Sequence, residues 1–137
     1  MVFFDSNVLV YVHDQRFPHK RETARRLYAE YLYQDAIALS TQVLQEFFVT
    51  ITRKTSLVTV PEAKKLVNHL AGLRVVKIDA DHILAAIDVH ARYRISFWDS
   101  LIIVGAKAAR ASLILSEDLG HLQIYDGVRV ENPFLIQ

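Results

Sequence analysis

Apolar residues occur along this chain in two alternating textures. Short unbroken runs of three or four predict buried strands, and longer stretches with apolar residues every three or four positions predict helices. Val2–Phe4 is the first short run and predicts a strand ending at Asp5. Arg21–Gln34 reads as a helix whose inner face carries Ala24, Leu27, Tyr28, Tyr31 and Leu32. Ala36–Leu39 predicts a second strand, and Ser40 or Thr41 then caps a helix with Leu44, Phe47, Phe48 and Ile51 inward. Thr59-Val60-Pro61 opens a helix, with Pro in its first turn, and its stripe is Ala63, Leu66, Val67, Leu70 and Ala71, with Gly72 near its end. Val75–Ile78 predicts a strand, followed by a helix capped at Asp81 and running to about Tyr93. Trp98–Ala111 reads as a helix whose small residues, Gly105, Ala106, Ala108 and Ala109, permit close packing on a sheet. Leu113–Leu115 predicts a strand leading into Ser116-Glu117-Asp118, and Val128–Val130 a last strand.

Strands alternating with helices predict an α/β fold, a three-layer α/β/α sandwich with a short, mostly parallel central sheet. The uninterrupted apolar strands agree, because parallel strands are buried on both faces. The 137 residues match the size of one domain, read as spanning 1–137, with no repeat, low-complexity tract or linker. An apolar share of 52% against 23% charged is a folding composition and excludes disorder as a class. The chain has no Cys, which excludes disulfides, thiol chemistry and Cys-based zinc sites and fits a cytoplasmic location. No apolar run approaches the length of a membrane span. The N-terminus does not read as a signal peptide: it lacks a basic region, and Asp5 breaks the apolar stretch. The 16 basic and 15 acidic residues nearly cancel. If acids gather in one pocket, the remaining surface is more basic than that sum, which suits a polyanion.

In open α/β sheets ligands bind beyond the carboxyl ends of the strands, and three of four candidate acids can reach that edge on coarse topology. Asp5 follows the first strand and Asp118 lies just beyond the strand at Leu113–Leu115. Glu46 is in the second turn of the helix after the second strand. Asp99 is in the first turn of the helix before Leu113, a position that coarse topology leaves open. Four carboxylates in one pocket repel one another, and a divalent cation relieves the repulsion. Mg²⁺ and Mn²⁺ take all-oxygen sites and suit phosphoryl chemistry. Each acid also has a plain structural reading. Asp5 can cap the segment Val8–Val12, Glu46 can be a solvated helix residue, Asp99 can serve the helix dipole, and Ser116–Asp118 can be a polar turn.

The acids sit in short motifs: Val2-Phe-Phe-Asp5-Ser-Asn7-Val-Leu-Val-Tyr11; Ser40-Thr-Gln-Val-Leu-Gln-Glu46-Phe47; Ser96-Phe-Trp98-Asp99-Ser-Leu-Ile-Ile103; Leu115-Ser116-Glu117-Asp118-Leu119; and the close Gly127-Val-Arg-Val-Glu-Asn132-Pro133-Phe134. In order and spacing they resemble PIN-domain ribonucleases of the VapC toxin type across the whole chain. The resemblance implies a small sheet flanked by helices with Mg²⁺ or Mn²⁺ at the acids. Asp5, Glu46 and Asp99 correspond to the three core acids and Asp118 to a fourth, more variable one. Glu117 is an alternative for that fourth place. Asn7 and Ser116 match polar positions that orient the acids or bound water. The implied reaction is metal-assisted hydrolysis of RNA phosphodiesters, leaving a 5′-phosphate and a 3′-hydroxyl. The resemblance also implies a homodimer and a cognate antitoxin protein that enters the active site.

Other readings fit the residues less well. A dehalogenase-like Mg²⁺ phosphatase needs a second Asp where Asn7 stands, and a receiver domain needs an acid pair after the first strand and a Lys after the Leu113 strand. A non-catalytic RNA- or protein-binding relative of the PIN proteins is a further alternative, against which the intact acid set argues. The six His show no zinc-ligand spacing, and there is no nucleophile elbow, P-loop or dinucleotide fingerprint. The basic residues His19, Lys20, Arg21, Arg25 and Arg26 fit either an RNA contact or a solvated helix face. Trp98 can touch a base or pack beneath the helix start.

Overall fold

The computed structural model describes residues 1–54 and 56–135. Its elements in chain order are β1 (Val2–Phe4), α1 (Ser6–Tyr11), α2 (Pro18–Tyr33), β2 (Ile37–Ser40), α3 (Thr41–Val49), a π-helical turn (Thr50–Lys54), α4 (Val60–Ala71), β3 (Arg74–Val76), α5 (Ala80–Tyr93), α6 (Phe97–Ala108), β4 (Leu113–Leu115), β5 (Ile124–Tyr125) and β6 (Val128–Glu131). The six strands form one sheet in the order β3-β2-β1-β4-β6-β5. Every pairing is parallel except that of β5 with β6. The mostly parallel α/β fold expected from the apolar runs is therefore the one observed.

Side chains alternate across a strand, so one strand addresses both helical layers. The Phe4 ring packs edge-on against Tyr28 and Tyr31 of α2, with centroids at 6.2 and 6.0 Å. Phe3 faces the other way, to Gly105 of α6, where an added Cβ would lie 3.4 Å from its ring. Helices α1 to α4 pack among themselves and α5 packs on α6. β1 and β2 are buried along their whole length, as strands covered on both faces must be. The order reverses between β1 and β4, which makes their carboxyl ends the switch point where ligands bind in open α/β sheets. No helix among the described residues is long and apolar enough to cross a membrane.

Several boundaries differ from the pattern in the sequence. α2 starts three residues earlier than expected, at Pro18, whose fixed φ suits a first helical turn. Asp79, not Asp81, caps α5 by accepting from the His82 amide, and Asp81 lies in the first turn. β3 ends at Val76 instead of Ile78, because the Ile78 amide turns to the Thr41 hydroxyl at 3.1 Å. α6 is Phe97–Ala108, shifted towards its Ser96 cap and ended where Arg110 takes a left-handed conformation. Leu32, Ala71 and Ala108, assigned to inner faces, are exposed. Strand β5 was not expected at all. Of the two candidate caps for α3, Ser40 is the one used, its hydroxyl accepting from the Val43 amide.

Thr59 and Glu62 form a reciprocal capping box at α4. Thr59→Ala is expected to cost about 1 kcal/mol, visible as a lower melting temperature with activity unchanged.

Candidate functional site

The site begins with the chain reversal after β1. Asp5 keeps an extended backbone and caps α1, its Oδ1 accepting from the Ser6 amide at 2.7 Å. The plain capping reading of Asp5 is thus correct, but it is incomplete. The residue is 4% exposed, and its second oxygen accepts from the Ser116 hydroxyl at 2.7 Å. Ser116 comes within reach because β1 and β4 are paired neighbours, with Phe4 opposite Leu115. The Ser116 oxygen also accepts from the Asp118 amide at 3.1 Å, which turns the chain back over the crevice.

Asn7 ties the two strand ends together. Its carbonyl oxygen accepts from the Glu117 amide at 3.1 Å. Its amide nitrogen donates to Asp118 Oδ2 at 3.1 Å and lies 3.5 Å from Asp5 Oδ2. Glu46 arrives from α3, with the Ser6 hydroxyl and Gln42 Nε2 each 3.5 Å from its carboxylate. Asp99 stands in the first turn of α6, its amide held by the Ser96 hydroxyl at 3.0 Å. Gln42 joins these two helices, since its Nε2 also donates to the Trp98 carbonyl at 3.1 Å.

All four acids meet at one edge of the sheet. Burial pushes the Asp5 carboxyl up to about 7, against the lowering effect of the Ser116 and Ser6 hydrogen bonds, and Glu46 and Asp118 push it further up. Burial raises Glu46 despite its Gln42 and Ser6 contacts, with Asp99 and Asp118 adding to the rise. Asp99 is raised by burial first and by Asp118 next. Among the described residues, no three His, Cys, Asp or Glu side chains close on one point as a ready-made cation cage. The donor set fits a hard divalent cation: it is all oxygen, crowded and in need of positive charge.

Glu117 belongs to a different cluster. Its carboxylate accepts from the Tyr11 hydroxyl at 2.8 Å and from Lys20 Nζ at 2.6 Å. The Lys20 ammonium lies over the Tyr11 ring at 4.8 Å from its centroid. Of the two adjacent acids, Asp118 is the one whose charge reaches Asp5, Glu46 and Asp99.

A cleft of about 610 Å³ opens beside the acids and is lined by two of them, Glu46 and Asp118. Gln42, Trp98, Arg16 and Phe17 also line it. Asp14, 2% exposed, holds the Arg16 guanidinium with two hydrogen bonds of 2.9 and 2.8 Å. That pairing holds the Asp14 carboxyl below the usual carboxylate range. Gln42, Arg16, Asp14 and Tyr11 were not singled out as site residues from the sequence, and Lys20, read there as either an RNA contact or part of a solvated helix face, pairs with Glu117. Only Gln42 carries a local signal, four residues before Glu46 on the same helical face.

A short, mostly parallel α/β sandwich with an acidic crevice at its β1/β4 switch point defines the class. The chain belongs to the PIN domain family, whose model matches residues 2–127. Its fold is also that of several solved structures. VapC20 from Mycobacterium tuberculosis, a sarcin-ricin loop cleaving toxin, is 19% identical with a TM-score of 0.67, over 86% of this chain and 90% of that one. A toxin–antitoxin complex from Klebsiella pneumoniae matches at 16% identity and a TM-score of 0.71, over 97% and 98%. DNA-bound VapBC from Salmonella typhimurium matches at 15% identity and 0.67, over 95% and 96%. Comparison with curated proteins gives no significant match.

Proposed function

We propose that this protein is a metal-dependent endoribonuclease, the toxin of a toxin–antitoxin pair, formed by one PIN domain spanning residues 1–137 and acting in the cytoplasm. The observation that carries the reading is the convergence of Asp5, Glu46, Asp99 and Asp118 at one sheet edge, where burial first and neighbouring carboxylates next raise Asp5, Glu46 and Asp99. Family membership supports it, as do the toxin and toxin–antitoxin descriptions of the similar structures.

Asp5, Glu46, Asp99 and Asp118 would hold Mg²⁺ or Mn²⁺. When bound, the ion would neutralise phosphate charge and lower the pKa of a water. The chain's own residues do the positioning. Ser116 and Ser6 fix both oxygens of Asp5, and Asn7 fixes Asp118 against the end of β4. Gln42 keeps Glu46 in register with the start of α6. Arg16, immobilised by Asp14 on the cleft wall, is placed to meet a backbone phosphate.

The antitoxin would enter this same cleft. A homodimer would cover the apolar face of α5, where Ile83, Leu84 and Ile87 are exposed at helical spacing. The test is incubation of labelled RNA with the protein in Mg²⁺ or Mn²⁺ and in EDTA, with the product ends identified enzymatically. Cleavage only with metal, leaving 5′-phosphate ends, is expected. Equal cleavage in EDTA, or 2′,3′-cyclic phosphate ends, would contradict the reading.

A further inference from the structure

Trp98 is large, aromatic and 62% exposed, yet its surroundings are unusually well fixed. It lines the cleft directly beside Asp99. Its carbonyl accepts from Gln42, a side chain 5% exposed and anchored in α3. The orientation of that amide is forced by chemistry, because both neighbours, the Trp98 carbonyl and the Glu46 carboxylate, are acceptors and only Nε2 can face them. The Phe97 ring meets the indole edge-on at 5.2 Å. The backbone is pinned while one large face of the ring stays open to the cleft. Burial of apolar surface in the core does not explain such an arrangement, since the ring contributes little to it.

We infer that Trp98 is a nucleobase platform: an unpaired base flanking the scissile phosphate of RNA stacks on its indole. This rests on the nuclease reading above and adds the way in which the site selects its substrate. Trp98 lines the same cleft as Glu46 and Asp118, so a phosphodiester held at those acids has a flanking nucleotide within the cleft that the indole lines. Single-stranded nucleic acid is bound through backbone cations combined with stacking on aromatic rings. Arg16, which lines the same cleft, supplies the cation, held by Asp14. The platform requires an unstacked base, so loops and single strands are preferred over duplex.

Trp98 is the single tryptophan of the chain, so its emission reports on this position alone. The test uses the full-length Asp5→Asn protein, in Mg²⁺ so that RNA binds without being cut, titrated with short single-stranded oligoribonucleotides. The same oligonucleotides made abasic at one position at a time are titrated in parallel. Quenching of the Trp98 emission is expected, with one abasic position removing it. Adding Trp98→Ala should weaken binding about tenfold or more, and Trp98→Phe should restore much of it. At the critical abasic position the Trp98→Ala penalty should vanish. RNA binding that is indifferent to residue 98 overturns this inference and leaves the nuclease reading standing. No RNA binding by either protein overturns both. A Trp98→Ala protein that changes its mass in sedimentation assigns the ring to a contact between copies and overturns the platform.

Discussion

Asp5→Asn is expected to abolish RNA cleavage and, in metal-free buffer, to make the protein more stable. Loss of activity follows from loss of a charged oxygen at the centre of the acid cluster. It should exceed about a hundredfold, the upper end of what removing a mere supporting residue around a metal costs. Stability moves the other way because the folded protein holds this carboxyl up to about 7, from an ordinary 3.8. Between those values the folded state binds more protons than the unfolded state, so stability falls as pH rises through this window. Below about 4 the full contribution is present, and above about 7 it is gone. The displacement corresponds to about 4 kcal/mol at most for a buried group. Asn keeps the cap on α1, since Asn and Asp are equivalent there, and carries no charge. The metal-free wild type should therefore melt lower at pH 8 than at pH 5. The variant should depend less on pH, keeping only the fall due to Glu46 and Asp99, and at pH 8 should melt higher by on the order of 10 °C. A variant that melts below wild type at pH 8 would contradict a crowded, desolvated acid at this position.

Asp118→Asn and Glu117→Gln are expected to separate sharply, although the two acids are adjacent. Asp118 faces the cluster through Asn7, and its charge acts on the other three acids. Its loss should slow cleavage about ten- to a hundredfold. Glu117 turns away to Lys20 and Tyr11. Glu117→Gln weakens a part-exposed ion pair worth up to about 1 kcal/mol and should leave the cleavage rate nearly unchanged. Cleavage rates of the two variants under saturating metal decide the matter. If Glu117→Gln were the more damaging, the fourth acid would be Glu117.

Much of this arrangement could be read before any coordinates, and particular residues show where that reading stops. Asp5 and Asp118 directly follow apolar strands, so strand position alone places them at the carboxyl edge. Glu46 follows from the short link between β2 and its helix. Asp99 was undetermined because it precedes its strand. The overlooked constraint is the brief connection from Ala109 to Ser112, which forces α6 to run back along the sheet and begin at the edge where β4 ends. The choice between Glu117 and Asp118 depends on Asn7, Tyr11 and Lys20, which are remote in the chain, and no local pattern encodes it. For Gln42 only the i,i+4 spacing to Glu46 was legible, because its bond to the Trp98 carbonyl exists only once α3 and α6 are side by side. Strand β5 was legible but missed. Asp126-Gly127 between Ile124-Tyr125 and Val128 is a two-residue hairpin signal, and both residues take positive φ, 49° and 82°.

The most direct test of the central claim, that the four acids form a divalent-cation site, is titration of the protein with Mn²⁺ followed by the paramagnetic resonance of free Mn²⁺. Wild type is expected to sequester Mn²⁺, Asp99→Asn to bind it far more weakly, and Glu117→Gln to match wild type. Mn²⁺ left free by the wild type, or taken up equally by Asp99→Asn, would contradict the account.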